Sequence, residues 1–131
     1  METEAELEIS ESNFFRNTGS QGGCIRAQLS EVTISVSNFT GCRSVGDYDS
    51  GAVYGERVSF TLTGTNFTDN SGCGGGAVAG LSSSFNITNS NFMRNTATNR
   101  GGAIWGLTTG SFMVADSNFI LNVAGSQWKR N

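Results

Sequence analysis

The chain has 131 residues, enough for one ordinary folding unit and too few for two well-cored ones. Eight Lys and Arg against eleven Asp and Glu leave a net charge of −3, and no basic run could follow a phosphate backbone, which argues against a nucleic-acid partner. His and Pro are both absent, so any chemistry would fall to carboxylates or thiols.

Met1 to Ser30 contains no continuous apolar stretch of the signal-peptide or membrane-span kind, so the chain reads as mature, excised from something longer, or not exported. It opens instead on an acidic segment, Glu2, Glu4, Glu6, Glu8 and Glu11, threaded by the alternating apolar pair Leu7 and Ile9. That alternation predicts a strand. Ser12-Asn13-Phe14 follows, then Asn17, then the glycine-led "GGCI" ending at Ile25.

The same order then recurs. Val32 and Ile34 precede Asn38-Phe39, Cys42 takes the place of Asn17, and "SGAV" ends at Val53. Phe60 and Leu62 precede Asn66-Phe67 and Asn70, and "GGAV" ends at Val78. Phe85 and Ile87 precede Asn91-Phe92 and Asn95, and "GGAI" ends at Ile104. Phe112 and Val114 precede Asn118-Phe119 and Asn122. Successive phenylalanines are 25, 28, 25 and 27 residues apart. This is an internal repeat.

Nearly all variation in length falls between the Asn position and the glycines, where the distances to the aliphatic residue are 8, 11, 8 and 9; from there to the next strand they are 7, 7, 7 and 8. Loops tolerate such insertions and registered strands do not, so the variable stretch is a protruding turn. A unit of this size cannot bury its own apolar face and must stack on copies of itself. The expected fold is therefore all-β: a right-handed parallel β-helix, a β-solenoid of about five coils with 25–28 residues per coil, forming one domain over 1–131. Phe14, Phe39, Phe67, Phe92 and Phe119 are expected to form an inward aromatic column, and Asn17, Asn70, Asn95 and Asn122 an amide ladder holding the turn. Gly22, Gly51, Gly75 and Gly101 are expected to give tight, positive-φ entries to the next strand. Disorder and an antiparallel sandwich compete with this reading, but neither has a reason to repeat one polar signature at this period.

"GGAI" at Gly101–Ile104 with "FMRN" at Phe92–Asn95, and the variants "FFRN", "FTDN", "FILN", "GGAV" and "GGCI", resemble the GGAI and FxxN repeats of the polymorphic outer-membrane proteins, within the right-handed parallel β-helix class. The resemblance spans essentially the whole chain. It implies a surface-exposed, passenger-type solenoid serving adhesion, and it brings no catalytic residues. Cys42 replaces the FxxN asparagine, Ser50 and Cys24 vary the GGA signature, and neither a membrane barrel nor a signal accompanies the repeats.

Several sites stand against plainer readings. Asp47 and Asp49 flank Tyr48 in the longest insertion and could grip a cation or a sugar; soluble decoration of a turn is the plainer account. The outward strand positions (Glu8 and Ser10, Thr33 and Ser35, Thr61 and Thr63, Asn86 and Thr88, Met113 and Ala115) are too irregular for an ice-binding array. Asn38, Asn66 and Asn86 head N-glycosylation triplets that carry little weight, two of them on the repeated Asn-Phe pair. For the cysteines, free, partly buried thiols are favoured over a bridge between Cys42 and Cys73. Glu4, Glu6 and Glu8 at one end and Trp128, Lys129 and Arg130 at the other offer opposite charge for head-to-tail assembly, or merely blunt the exposed strand edges.

The sequence thus points to a non-catalytic extracellular or cell-surface structural or adhesive solenoid. It would need no cofactor and no metal, and would meet its own kind end to end, flanking coils, or a glycan or cell-surface ligand, without inserting in a membrane. A carbohydrate-binding or polysaccharide-processing β-helix using Asp47 and Asp49 is the alternative.

Overall fold

The structure, a computed structural model, describes residues 5–46, 50–107 and 110–125. Strands account for all regular structure in them, with no helix. The first turn comprises β1 (Ala5–Ser10), β2 (Asn13–Phe15), β3 (Thr18–Gly19) and β4 (Ile25–Gln28). The second comprises β5 (Ser30–Ser35), β6 (Asn38–Thr40), β7 (Arg43–Ser44) and β8 (Val53–Glu56). The third holds β9 (Ser59–Thr63), β10 (Asn66–Thr68), β11 (Ser71–Gly72) and β12 (Val78–Leu81); the fourth holds β13 (Ser84–Thr88), β14 (Asn91–Met93), β15 (Thr96–Ala97) and β16 (Ile104–Leu107). A last rung consists of β17 (Phe112–Ala115), β18 (Asn118–Ile120) and β19 (Val123–Ala124).

Each strand pairs in parallel with its equivalents one turn away, giving three five-stranded sheets and one four-stranded sheet. The chain is a parallel β-solenoid of about four turns rather than five, because the fourth sheet has no fifth strand among the described residues.

Register is one to one. Leu7, Val32, Phe60, Phe85 and Phe112 lie over one another in the first sheet, as do Ile9, Ile34, Leu62, Ile87 and Val114. In the second sheet the five Asn-Phe phenylalanines align, with ring centroids 4.6, 4.9, 4.8 and 4.8 Å apart and planes within 10°. That separation is the inter-strand spacing of a parallel sheet, so the backbone ladder sets the stacking of the rings. Phe39, Phe67 and Phe92 are fully buried.

Three of the four corners between sheets are single residues in the left-handed region, and they too fall in columns, Leu29, Arg57 and Ser82 turning the chain from the fourth sheet into the next rung of the first. Glu11, Val36, Asn89 and Asp116 turn the chain from the first sheet to the second, with Gly64 in the same column; Arg16, Asp69, Arg94 and Leu121, with Gly41, turn it from the second to the third. Each costs about 1 kcal/mol or more for a residue with a Cβ.

The glycines work differently from the expectation. Bridges pair Ser50 with Gly75 and Gly75 with Gly101, so Gly51 belongs one column over, and of the four named glycines only Gly22 has a positive φ. Close approach governs the rest: a Cβ on Gly76 would overlap the carbonyl oxygen of Gly102 and lie 2.7 Å from the Thr96 nitrogen.

A second use of glycine is matched to the core. Where β5 presents Val32, the facing residue on β4 is Ala27; where the next strands present Phe60 and Phe85, the facing positions are Gly55 and Gly80. A Cβ on Gly80 would sit 2.5 Å from Phe85 Cζ, and one on Gly55 2.6 Å from Phe60 Cε2. Gly80→Ala is expected to destabilise by about 2 kcal/mol through overpacking. Adding Phe85→Val, which recreates the Ala27–Val32 combination, is expected to recover part of that loss. A double-mutant cycle in urea measures the coupling; additive effects would refute the pairing.

The cysteines correct the sequence reading. Cys24 and Cys42 form a disulfide, with Cα atoms 5.9 Å apart, and Cys73 is the free thiol, so neither three free thiols nor a Cys42–Cys73 bridge is present. Register along one column predicts nothing about this pair, because the contact crosses the interior. The Asn column and the alanine position of the glycine strand face each other there, as Asn17 Nδ2 donating to Cys24 Sγ at 3.5 Å shows.

Candidate functional site

The chemistry-bearing groups of the described residues are arranged as columns along the rod, not gathered in a cleft. In the inner column, Asn95 Oδ1 accepts from the backbone nitrogen of Asn70 at 3.0 Å and from its Nδ2 at 2.9 Å. Asn95 Nδ2 donates to Asn122 Oδ1 at 3.0 Å and to the Phe67 carbonyl at 2.9 Å. Asn70 and Asn122 likewise donate to the carbonyls of Phe39 and Phe92. These amides are satisfied on both sides and hold the turn as expected. Cys42 interrupts the column, although its backbone nitrogen still donates to Asn70 Oδ1 at 2.8 Å.

A second, outer ladder, not among the expectations from the sequence, runs on the outside of the second sheet. Asn38, Asn66, Asn91 and Asn118 each donate from Nδ2 to Oδ1 of the asparagine one turn earlier, at 2.8 to 2.9 Å, ending on Asn13. The signal was present: if the Phe of each Asn-Phe pair points inward, the Asn must point outward. A hydroxyl column runs beside it. The side chains of Ser12, Ser37, Thr65, Ser90 and Ser117 donate to the carbonyl two residues back, and in most rungs accept a backbone N–H from the turn before.

This geometry separates the three glycosylation triplets. Asn38 and Asn66 use Nδ2, the atom a glycan would occupy, in the outer ladder, whereas Asn86 is exposed in the middle of β13 and takes no part in either ladder. The outward positions of the first sheet do form a wall, Thr33 and Ser35, Thr61 and Thr63, Asn86 and Thr88, with Thr63 and Thr88 hydroxyls 3.3 Å apart. It gives way to Met113 and Ala115 at the last rung.

Outside the second-to-third corner, Arg94 clasps Asp69 through two parallel bonds, Nε to Oδ1 at 2.9 Å and Nη2 to Oδ2 at 3.2 Å. The hydrogen bonds from Arg94 hold the Asp69 carboxyl below its ordinary range. The pair is half exposed and adds little stability.

Asp47, Tyr48 and Asp49 lie outside the described residues, as do Glu4 and Trp128, Lys129 and Arg130. Glu6 and Glu8 are on the outward face of β1, exposed, with Glu6 directly opposite Glu31. At the other end the described rod stops on an open core. Phe112, Val114 and Phe119 are 40 to 48 % exposed and line a cavity of about 610 Å³ with Ile104 and Asn122. Comparison of the chain with protein families, curated proteins and solved structures finds no match.

Proposed function

We propose that this protein is a non-catalytic structural or adhesive solenoid of the cell exterior or cell surface, a stiff rod that presents its variable turns and joins others of its kind end to end. The observation that carries the reading is the unbroken one-to-one register of five rungs, with aromatic, amide and hydroxyl columns running along the axis. Columns of this kind resist bending and shear, because displacing one rung breaks bonds to both neighbours. The Cys24–Cys42 disulfide supports an oxidising compartment. The likeness of "GGAI" and "FMRN" to polymorphic outer-membrane repeats supports adhesion as the task and the turns between the Asn column and the glycines as the recognition surface.

The test is to shorten the longest turn, residues 46–50, by three residues, to the 8-residue spacing found in the first and third repeats. Thermal stability is expected to hold while binding of the immobilised protein to epithelial cells and glycan arrays falls at least tenfold. Unchanged binding would remove the turn as the recognition element. In the same assay Asp47→Ala with Asp49→Ala tests the carbohydrate-binding alternative: selective loss of sugar binding favours it, and retained binding counts against it.

A further inference from the structure

Resting on the rod reading, the structure identifies the partner and the register of its end-to-end contact. We infer that the last rung of one chain receives the first rung of a second copy, β17 pairing with β1, β18 with β2 and β19 with β3, in the register that relates successive rungs within the chain.

Every column ends in two complementary halves. The outer amides all donate toward the N-terminal end, so Asn13 Nδ2 has no acceptor and Asn118 Oδ1 no donor among the described residues. The inner amides and the hydroxyl column point the opposite way. Asn95 donates to Asn122 and Ser90 N to Ser117 Oγ, which leaves the Asn122 and Ser117 nitrogens facing the C-terminal opening and leaves Asn17 Oδ1 and Ser12 Oγ without a backbone donor at the other end. Placed rung on rung, Asn13 of the second copy donates to Asn118, Asn122 donates to Asn17 of the second copy, and Ser117 N donates to its Ser12. A surface offering donors only, or acceptors only, would not fit both sets.

The apolar parts match in the same register. Phe119 meets Phe14, Phe112 meets Leu7 and Val114 meets Ile9, filling the open cavity with the side chains that each earlier rung places there. Unpaired parallel edges template such pairing. A contact between unlike ends does not close on itself and propagates as a filament. In the fourth sheet, β16 and the second copy's β4 stand two rungs apart, so among the described residues three sheets form the junction. The one like-charge pairing among its described residues, Glu11 over Asp116, lies on the exposed corner column and is screened by salt.

Asn13→Asp is the clean probe. The Asp oxygen still accepts from Asn38, so nothing within the chain is lost, while the group facing Asn118 becomes a second acceptor. Sedimentation and negative-stain imaging of the 131-residue chain, at about 0.5 M salt where the corner charges are screened, are expected to show particles that lengthen with concentration in steps of about 24 Å, five rungs at roughly 4.8 Å each. Asn13→Asp is expected to weaken association roughly tenfold or more at unchanged melting temperature. Asn86→Asp, on the wall of the rod, is expected to leave it unchanged. In a Cys73→Ser background, Ser10→Cys with Ala115→Cys is expected to cross-link chains under oxidation, since the two positions share one column. Monodisperse short particles at all concentrations, assembly indifferent to Asn13→Asp, or absence of the cross-link would overturn the inference. Monodisperse particles would also remove end-to-end joining from the proposed function, but none of those results touches recognition by the turns, which the turn-shortening assay judges separately.

Discussion

Replacing Asn95 by Ala is expected to cost about 4 kcal/mol and to split the rod's unfolding into two steps. Its side chain is fully buried and makes four hydrogen bonds, to the Asn70 nitrogen and amide, the Phe67 carbonyl and Asn122 Oδ1. Removing the amide leaves those groups without partners in a space that water does not reach, and each buried unsatisfied group costs about 1 to 3 kcal/mol. A solenoid is held by contacts between neighbouring turns, so the break is local, and the fourth turn and last rung are expected to melt before the second and third. Hydrogen exchange of the β14 and β18 amides against those of β6 checks the order.

Asn95→Asp separates hydrogen bonding from volume. The introduced carboxylate keeps the two acceptor contacts and turns an acceptor toward Phe67 and Asn122, which are acceptors themselves. Burial and these neighbours raise its folded pKa above the unfolded value near 4. A raised folded pKa means that the folded state binds more protons, so the variant is most stable below the unfolded pKa and loses stability as pH rises through the folded one. Denaturant midpoints are expected to fall from pH 4 to pH 7 for Asn95→Asp relative to the parent. A flat difference would show that the site is wet.

Reduction of the Cys24–Cys42 disulfide carries the second large effect. The bond closes a segment with a sequence separation of 18, for which loop-closure entropy gives about 3 kcal/mol. Reduction also leaves a thiol in the asparagine column at the step between Asn17 and Asn70, where no side-chain amide bond is made. The first two turns are therefore expected to unfold first under reducing conditions, while the third and fourth persist. A repair follows from the columns themselves. Cys24→Ala with Cys42→Asn restores the residues found at the equivalent places in the later turns, Ala77 and Asn70, and is expected to come within about 1 kcal/mol of the oxidised parent. Cys24→Ser with Cys42→Ser is expected to retain most of the loss. Reduced and oxidised thermal melts of the three proteins decide it, and equal stability of the two double variants would show that the amide column contributes nothing at this rung.

The acidic first coil and basic last residues suggest attraction between unlike charges; Glu4, Lys129 and Arg130 fall outside the described residues, and in the junction we infer, Glu11 of one copy would stand over Asp116 of the other. What recommends the contact is hydrogen-bond direction, which a letter string does not record. The Asn-Phe dipeptide shows how close the two levels come. Its Phe was legible as core, and the outward Asn was equally implied by strand alternation, but whether neighbouring amides bond to each other or to water depends on the spacing and rotation of adjacent rungs.

By itself the sequence determined the period, the parallel register, the inward pairs such as Val32 with Ile34, and the location of the variable turns, because in a stacked repeat each of these is a pattern along one chain. The facing of Cys24 to Cys42, the need for glycine at Gly76 and Gly80, and the opposed directions of the two amide ladders were decided only by the tertiary structure. Those features depend on how the path bends at three left-handed corner columns and which walls it brings together across the interior. That distance is set by side-chain volume and backbone closure over a whole turn, so no short window of sequence contains it.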